Sequence, residues 1–193
     1  ANAELRELTI NPSLWMATSE WPERPVLRGD MTVQAVVIGA VHISQALAPM
    51  ARGLDLAVTI IDPRTAFATP ERFPDVQVLA EWPDAALPRL GLDRYTALLA
   101  LTHDPKIDDL ALLEALKSAA FYVGAIGSKK NNDARRQRLK EFDLSEGEIA
   151  RLRGPVGLYI GSKTPPEIAV AILAEMTAVR HGVAEPSWAA KAA

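Results

Sequence analysis

A doubly wound α/β fold, with a mostly parallel sheet and helices on both faces, is predicted by three observations. Short apolar runs rich in β-branched residues recur from residue 32 onward. Helical patterns fall between them. Because strand, helix and strand alternate, each connection is a crossover, which makes successive strands parallel and covers the sheet with helices.

The elements follow in chain order. TVQAVVIG reads as a first strand, HISQALAPMARG as a helix closed by Gly53, and DLAVTIID as a second strand. VQVLAE is a short strand, and a proline-rich connection over 82–92 leads to RYTALLALT, another strand. IDDLALLEALKSA sets Ile107, Leu110, Leu113 and Leu116 three residues apart, a spacing that keeps one helical face buried. AFYVGAIGS is the next strand. KKNNDARRQRLKEF is a helix in which Leu139 and Phe142 share a face while Arg135, Arg136, Arg138 and Lys140 form a solvated one. A short segment capped by Ser145 precedes GPVGLYIG, an extended connection. The last helix, PPEIAVAILAEMTAVRHG, opens on proline and stops at Gly182, and its stretch AVAILAEM suits a core or a homodimer equally. The expected organisation is an irregular arm over 1–31, in which Trp15 and Trp21 need cover, an α/β domain over 32–183, and a tail over 184–193.

Composition bounds the function. The chain has 193 residues, 49% of them apolar and 23% charged, enough for a core without covalent staples and far from a disordered composition. No cysteine means no disulfides, thiolate metal site or thiol nucleophile. A net charge of −3 argues against general nucleic-acid binding, which needs a basic excess. The apolar runs are too short to span a bilayer and no signal pattern opens the sequence, so a cytoplasmic location is expected.

Four segments can carry chemistry. Gly39-Ala40-Val41-His42-Ile43-Ser44 leaves the first strand where a dinucleotide fold carries its glycine fingerprint, with Val41 in place of the second glycine. Asp62 closes the second strand where a carboxylate would bind a ribose hydroxyl, and Pro63 and Arg64 add a rigid turn and a cation. The alternative is an ordinary βαβ turn without a dinucleotide. Thr102-His103-Asp104-Pro105 exits the strand RYTALLALT at the sheet's carboxyl edge, where His103 and Asp104 can meet His42 and Asp62 around a polar ligand, or else cap the next helix. No metal-ligand spacing is present. Gly127, Ser128 and Lys129 open a helix whose lysines oppose its dipole, which an anionic ligand would offset. Gly161 and Lys163 repeat that chemistry before Thr164 and Glu167, themselves spaced as a capping box.

GAVHISQALAP, DPR with the later RFP, LTHD, YVGAIGSK and GPVGLYIGSKTPPEIAVAILAE, taken together over residues 34–182, resemble the Rossmann-type C-terminal domain of the XdhC/CoxI family. These are accessory proteins of xanthine dehydrogenase and related molybdenum hydroxylases. The resemblance implies a non-catalytic chaperone that binds molybdopterin, the molybdenum cofactor. It further implies two partners, a cysteine desulfurase that supplies sulfur and the apo-enzyme that receives the cofactor. In that reading Gly39, Gly127 and Gly161 admit close backbone approach, Lys129 and Lys163 neutralise phosphate with Ser128 beside them, and His42, Asp62, Arg64, His103 and Asp104 line the pocket. The alternatives are an NAD(P)-dependent oxidoreductase, argued from Asp62, and an interaction module docking through the tryptophan-bearing arm.

Overall fold

The computed structural model describes residues 33–183. The expected arm with Trp15 and Trp21, and the expected tail, lie outside the described residues. In chain order the elements are β1 (Gln34–Ile38), α1 (His42–Gly53), β2 (Ala57–Ile61), β3 (Gln77–Leu79), α2 (Pro83–Leu90), β4 (Thr96–Ala100), α3 (Pro105–Lys117), β5 (Tyr122–Ala125), α4 (Lys129–Lys140), α5 (Glu146–Ala150), β6 (Leu152–Arg153) and α6 (Pro165–Arg180).

The strands pair in parallel throughout, in the order β3-β2-β1-β4-β5-β6. The chain therefore builds outward from β1 to β3, returns to lay β4 on the free side of β1, and builds outward again. This is the doubly wound α/β order, and its loops leave the carboxyl ends of the strands along one edge.

Side-chain alternation along the strands divides the core in two. Ala35, Val37, Ala97 and Leu99 face one layer with Leu47 and Ile172, so α1 and α6 cover that side. Val36, Ile38, Leu98 and Ala100 face the other with Leu87, Leu112 and Leu139, from α2, α3 and α4. Every residue of β4 is buried, as expected of a central strand covered on both faces. No helix among the described residues is long and apolar enough to cross a membrane.

Several expectations change. The connection over 82–92 contains α2, which has Pro83 in its first turn and a second proline, Pro88, inside it. Pro88 lacks an amide hydrogen and reads as a helix breaker, yet in so short a helix few backbone bonds depend on it. The buried face of α3 is Ile107, Asp108, Ala111, Leu112, Ala115 and Leu116, with Leu110 and Leu113 only half-buried. Spacing by four, not three, lies along the face that meets the sheet. In α4, Leu139 is buried but Phe142 is 52% exposed. Arg135 is the largest correction: it is buried, not part of a solvated face, and pairs with Asp108 and Asp109 from α3.

Candidate functional site

The structure divides the residues singled out in the sequence between two places on the carboxyl edge. At the first, the exits of β1, β2 and β4 meet. Gly39 has φ +113°, and a Cβ there would stand 2.9 Å from Thr102 Cγ2 and 3.2 Å from Thr102 N, so glycine lets the two turns touch. The Ser44 hydroxyl donates to Gly39 O at 2.5 Å, which fixes the start of α1 against the turn.

Asp62 is fully buried, and both its oxygens are occupied. It accepts from the Ala40 amide (2.8 Å), the Arg64 amide (2.9 Å), Arg64 Nε (2.8 Å) and Arg64 Nη2 (2.6 Å). Burial by itself would raise this carboxyl, but the bonds from Arg64 and Ala40 outweigh it and hold the group below its usual value. Arg72 grips the same turn from the other side, donating to Ala40 O and Phe67 O (2.9 Å each) and to Gln45 Oε1 (3.1 Å). Two guanidiniums stand over the Phe67 ring, that of Arg64 at 4.8 Å from its centre and that of Arg72 at 5.4 Å. The amide and the acid that a dinucleotide would use are thus already engaged by the chain itself.

A carboxyl with a depressed native pKa contributes stability above its unfolded value, here 3.8, and loses that contribution as pH falls through the native value. Asp62→Asn is therefore expected to lower the unfolding free energy near neutral pH by about 1.5–3 kcal/mol, the range for a charged hydrogen-bond acceptor. It should also flatten the acid limb of stability in urea titrations. An acid limb as steep as that of the parent protein would remove Asp62 from this role.

His42 and His103 stand exposed beside this turn, and His103 holds φ +66° at the exit of β4. Asp104 caps α3, accepting from the Lys106 amide at 2.9 Å. The Thr102 hydroxyl accepts from the Asp104 amide (3.0 Å) and donates to the buried Asp108 (2.7 Å).

The second place is a cavity of about 600 Å³ between the start of α4 and the loop 154–162. Gly127, Lys129 and Gly161 line it, together with Asp133, Arg136 and Ser162 and an apolar wall that includes Pro155, Tyr159 and Ile160. Ser128 is the N-cap of α4, its hydroxyl accepting from the Asn131 amide at 3.2 Å. No acidic residue occupies the first turn of α4, so no carboxylate of that turn offsets the helix dipole, and Lys129 has no ion-pair partner among the described residues. The buried Asn132 donates from Nδ2 to Gly127 O and Ser128 O (3.1 Å each), which locks the glycine turn to the helix.

The opposite wall is built with equal care. Arg136 Nη2 donates to Leu152 O (2.9 Å) and Gly154 O (3.4 Å), and the Val156 amide donates to Ala125 O (3.0 Å). Glu175, buried in α6, accepts from the Gly157 amide (2.7 Å) and the Tyr122 hydroxyl (2.5 Å). Burial, with Glu175 beside it, pushes the Tyr122 phenol well above its usual range. Gly157 has φ +87°, and a Cβ there would lie 3.1 Å from the α6 backbone at Ala171.

Within this frame the Ser162 hydroxyl is buried without a hydrogen-bond partner among the described residues. Such an atom costs about 1–3 kcal/mol unless something satisfies it. Lys163 is not among the cavity's lining residues, and its amide donates to Glu167 (2.8 Å) as the Thr164 amide does (2.9 Å). The N-terminus of α6 is thereby filled by its own carboxylate, as the Thr164–Glu167 spacing predicts, whereas that of α4 is not.

Sequence reasoning passed over Arg72, Asp133, Ser162 and Glu175. Two of them carried a signal. Lys129, Asp133 and Arg136 stand at intervals of four and three, one face of a helix, and Glu175 is a lone acid in an apolar run.

Comparison with known proteins matches residues 35–176 to the XdhC Rossmann domain. "Uncharacterized protein YqeB" of Escherichia coli (strain K12) is 32% identical over 78% of this chain and 28% of its own length. "Molybdenum cofactor insertion chaperone PaoD" of the same organism is 34% identical over 46% of this chain and 28% of its own. A probable xanthine dehydrogenase subunit of Bacillus subtilis (strain 168) is 27% identical over 77% of this chain and 43% of its own. The chain thus spans less than half the length of each of these relatives. A crystal structure of a xanthine dehydrogenase from Bacillus halodurans superposes with a TM-score of 0.67 at 24% identity, covering 80% of this chain and 44% of that one, and shows the same fold.

Proposed function

The chain belongs to the XdhC Rossmann-domain family, and from that premise we propose that it is a cofactor-handling domain, not a turnover enzyme, whose cargo is the molybdenum cofactor. The partners in this reading are an apo-enzyme of the molybdenum hydroxylase class, which receives the cargo, and a cysteine desulfurase acting on it while it is held. The name of the relative PaoD supports the cargo. These 193 residues contain no cysteine, so in this reading any persulfide used in sulfuration is carried outside them.

One observation carries the reading: the cavity beside α4 combines a lysine and a buried hydroxyl that have no ion-pair or hydrogen-bond partner among the described residues with an apolar wall. A flat heterocycle with a phosphate tail satisfies all three. The phosphate meets Lys129 and the free amides of the first turn of α4, the ring lies on Pro155, Tyr159 and Ile160, and Ser162 finds a polar atom to bond. A nicotinamide dinucleotide is disfavoured, because Asp62 and the Ala40 amide are bonded to each other and Asp62 also to Arg64.

Calorimetric titration of the purified chain with molybdopterin is expected to give micromolar or tighter binding. Lys129→Ala should weaken it about tenfold, the loss of roughly 1.4 kcal/mol expected for a charge-assisted contact. NADH and NADPH should not saturate up to about 1 mM, the weak end of specific binding. If molybdopterin fails to bind while NADH saturates, the assignment reverses.

A further inference from the structure

We infer that Asp133 selects the ring of the ligand, by accepting a pair of adjacent N–H donors from a 2-amino-4-oxopyrimidine edge. The inference rests on the reading of the cavity beside α4 as the site of a phosphorylated heterocycle.

Lys129, Asp133 and Arg136 all line that cavity from one face of α4, so its helical wall reads cation, carboxylate, cation. The three have different work. Arg136 is engaged with the carbonyls of Leu152 and Gly154 and so builds the opposite wall. Lys129 has no carboxylate within ion-pair distance among the described residues. Asp133 has a single ion-pair partner among the described residues, Arg136 at 3.9 Å, too long for a hydrogen bond, and its side chain is 61% exposed.

A site built for an anion alone has no use for this carboxylate, which would repel the phosphate one helical turn away. An ionised carboxylate only accepts hydrogen bonds, so its complement is a donor. Two oxygens side by side fit two adjacent donors, as in the forked pairing of carboxylates with planar N–H groups. The apolar wall of Pro155, Tyr159 and Ile160 suits donors carried on a planar ring. The 2-amino-4-oxopyrimidine ring, shared by pterins and guanine, presents a ring N–H next to an amino group on one edge. Asp133 therefore lies about 6 Å along the helix axis from Lys129, with the heterocycle at one station and the anion at the other.

The test uses the full chain and four probes in calorimetry: neopterin monophosphate, guanosine monophosphate, inosine monophosphate, which lacks the 2-amino group, and inorganic phosphate. The parent protein is expected to bind the guanine nucleotide roughly 10–100-fold more tightly than the inosine nucleotide, the discrimination typical of one bidentate pair. Asp133→Asn should erase that preference and weaken neopterin monophosphate by a similar factor, while inorganic phosphate binds at least as tightly as to the parent, because a negative charge near the anion is gone. Lys129→Ala should weaken all four probes and keep the guanine-to-inosine ratio. An Asp133→Asn protein with the parent's affinities and ratio overturns the role of Asp133 and leaves the site standing. Failure of neopterin monophosphate to bind the parent protein overturns both.

Discussion

Replacing Arg135 by methionine is expected to lower the unfolding free energy by about 3–5 kcal/mol, the range for removing one partner of a buried ion pair. Its guanidinium lies between Asp108 (3.3 Å) and Asp109 (3.4 Å), and also donates to Ile126 O and Asn132 Oδ1 (2.9 Å each). Without it, the buried Asp108 loses its counter-charge, Asp109 keeps only Arg138 (2.8 Å) among the described residues, and the carbonyl before the glycine turn of the cavity loses its donor. Burial already pushes the Asp108 carboxyl above its usual value despite two hydrogen bonds from Thr102. A carboxyl with a raised native pKa binds its proton more readily in the folded state, so its penalty is full at neutral pH and fades as pH falls toward the unfolded value of 3.8. The deficit of Arg135→Met should therefore shrink on acidification, measured by urea unfolding at several pH values. Asp108→Asn is expected to change stability by only about 1 kcal/mol, because the amide oxygen still accepts from Thr102 and Arg135 keeps Asp109. Equal losses for the two substitutions would contradict the asymmetry.

The same network shows why parts of the fold were readable and others were not. β1, β2, β4 and β5 declare themselves because a strand covered on both faces must be apolar at nearly every position. The helix starts at Ser128, Ser145 and Thr164 were visible because capping is local: the residue that caps lies within three positions of the amide it serves. Arg135, by contrast, owes its burial to Asp108 and Asp109, 27 and 26 positions earlier in the chain. Its own neighbours Arg136 and Arg138 made it look like one more member of a solvated face.

The candidate site follows the same division. The turn at Gly39 was found by its position after a strand, and Asp62 by its position at the end of the next. That Asp62 accepts from Arg64 and Ala40 depends on how several donors share two oxygens, a matter of angle and distance that spacing cannot express. Gly127 and Lys129 were singled out as a helix N-terminus without an acid in its first turn, and the cavity they line needed the loop 154–162, whose shape rests on α6. Lys163, which looked equivalent to Lys129, precedes a helix already filled by Glu167.

Glu175→Ala should be the second large loss, and it tests that loop directly. Removing the carboxylate leaves the Gly157 amide and the Tyr122 hydroxyl buried without their acceptor, each costing about 1–3 kcal/mol. Arg153 Nη1, 3.4 Å from Glu175, loses a counter-charge as well. A total of about 2–6 kcal/mol follows, read as a lower urea midpoint with an unchanged slope. Tyr122→Phe isolates one of these bonds: Glu175 keeps Gly157 and Arg153, so a loss of only about 1 kcal/mol is expected. The two variants also separate stability from the site. The Gly157 amide leads directly into Leu158, Tyr159 and Ile160, the wall on which a heterocycle would lie. Glu175→Ala, assayed where it is still folded, should therefore bind neopterin monophosphate several-fold more weakly although Glu175 is not among the cavity's lining residues, and Tyr122→Phe should bind it nearly as the parent does. Parent-like affinity in folded Glu175→Ala would mean that the wall holds its shape without this anchor, leaving Arg136 and the Ala125 carbonyl to account for it.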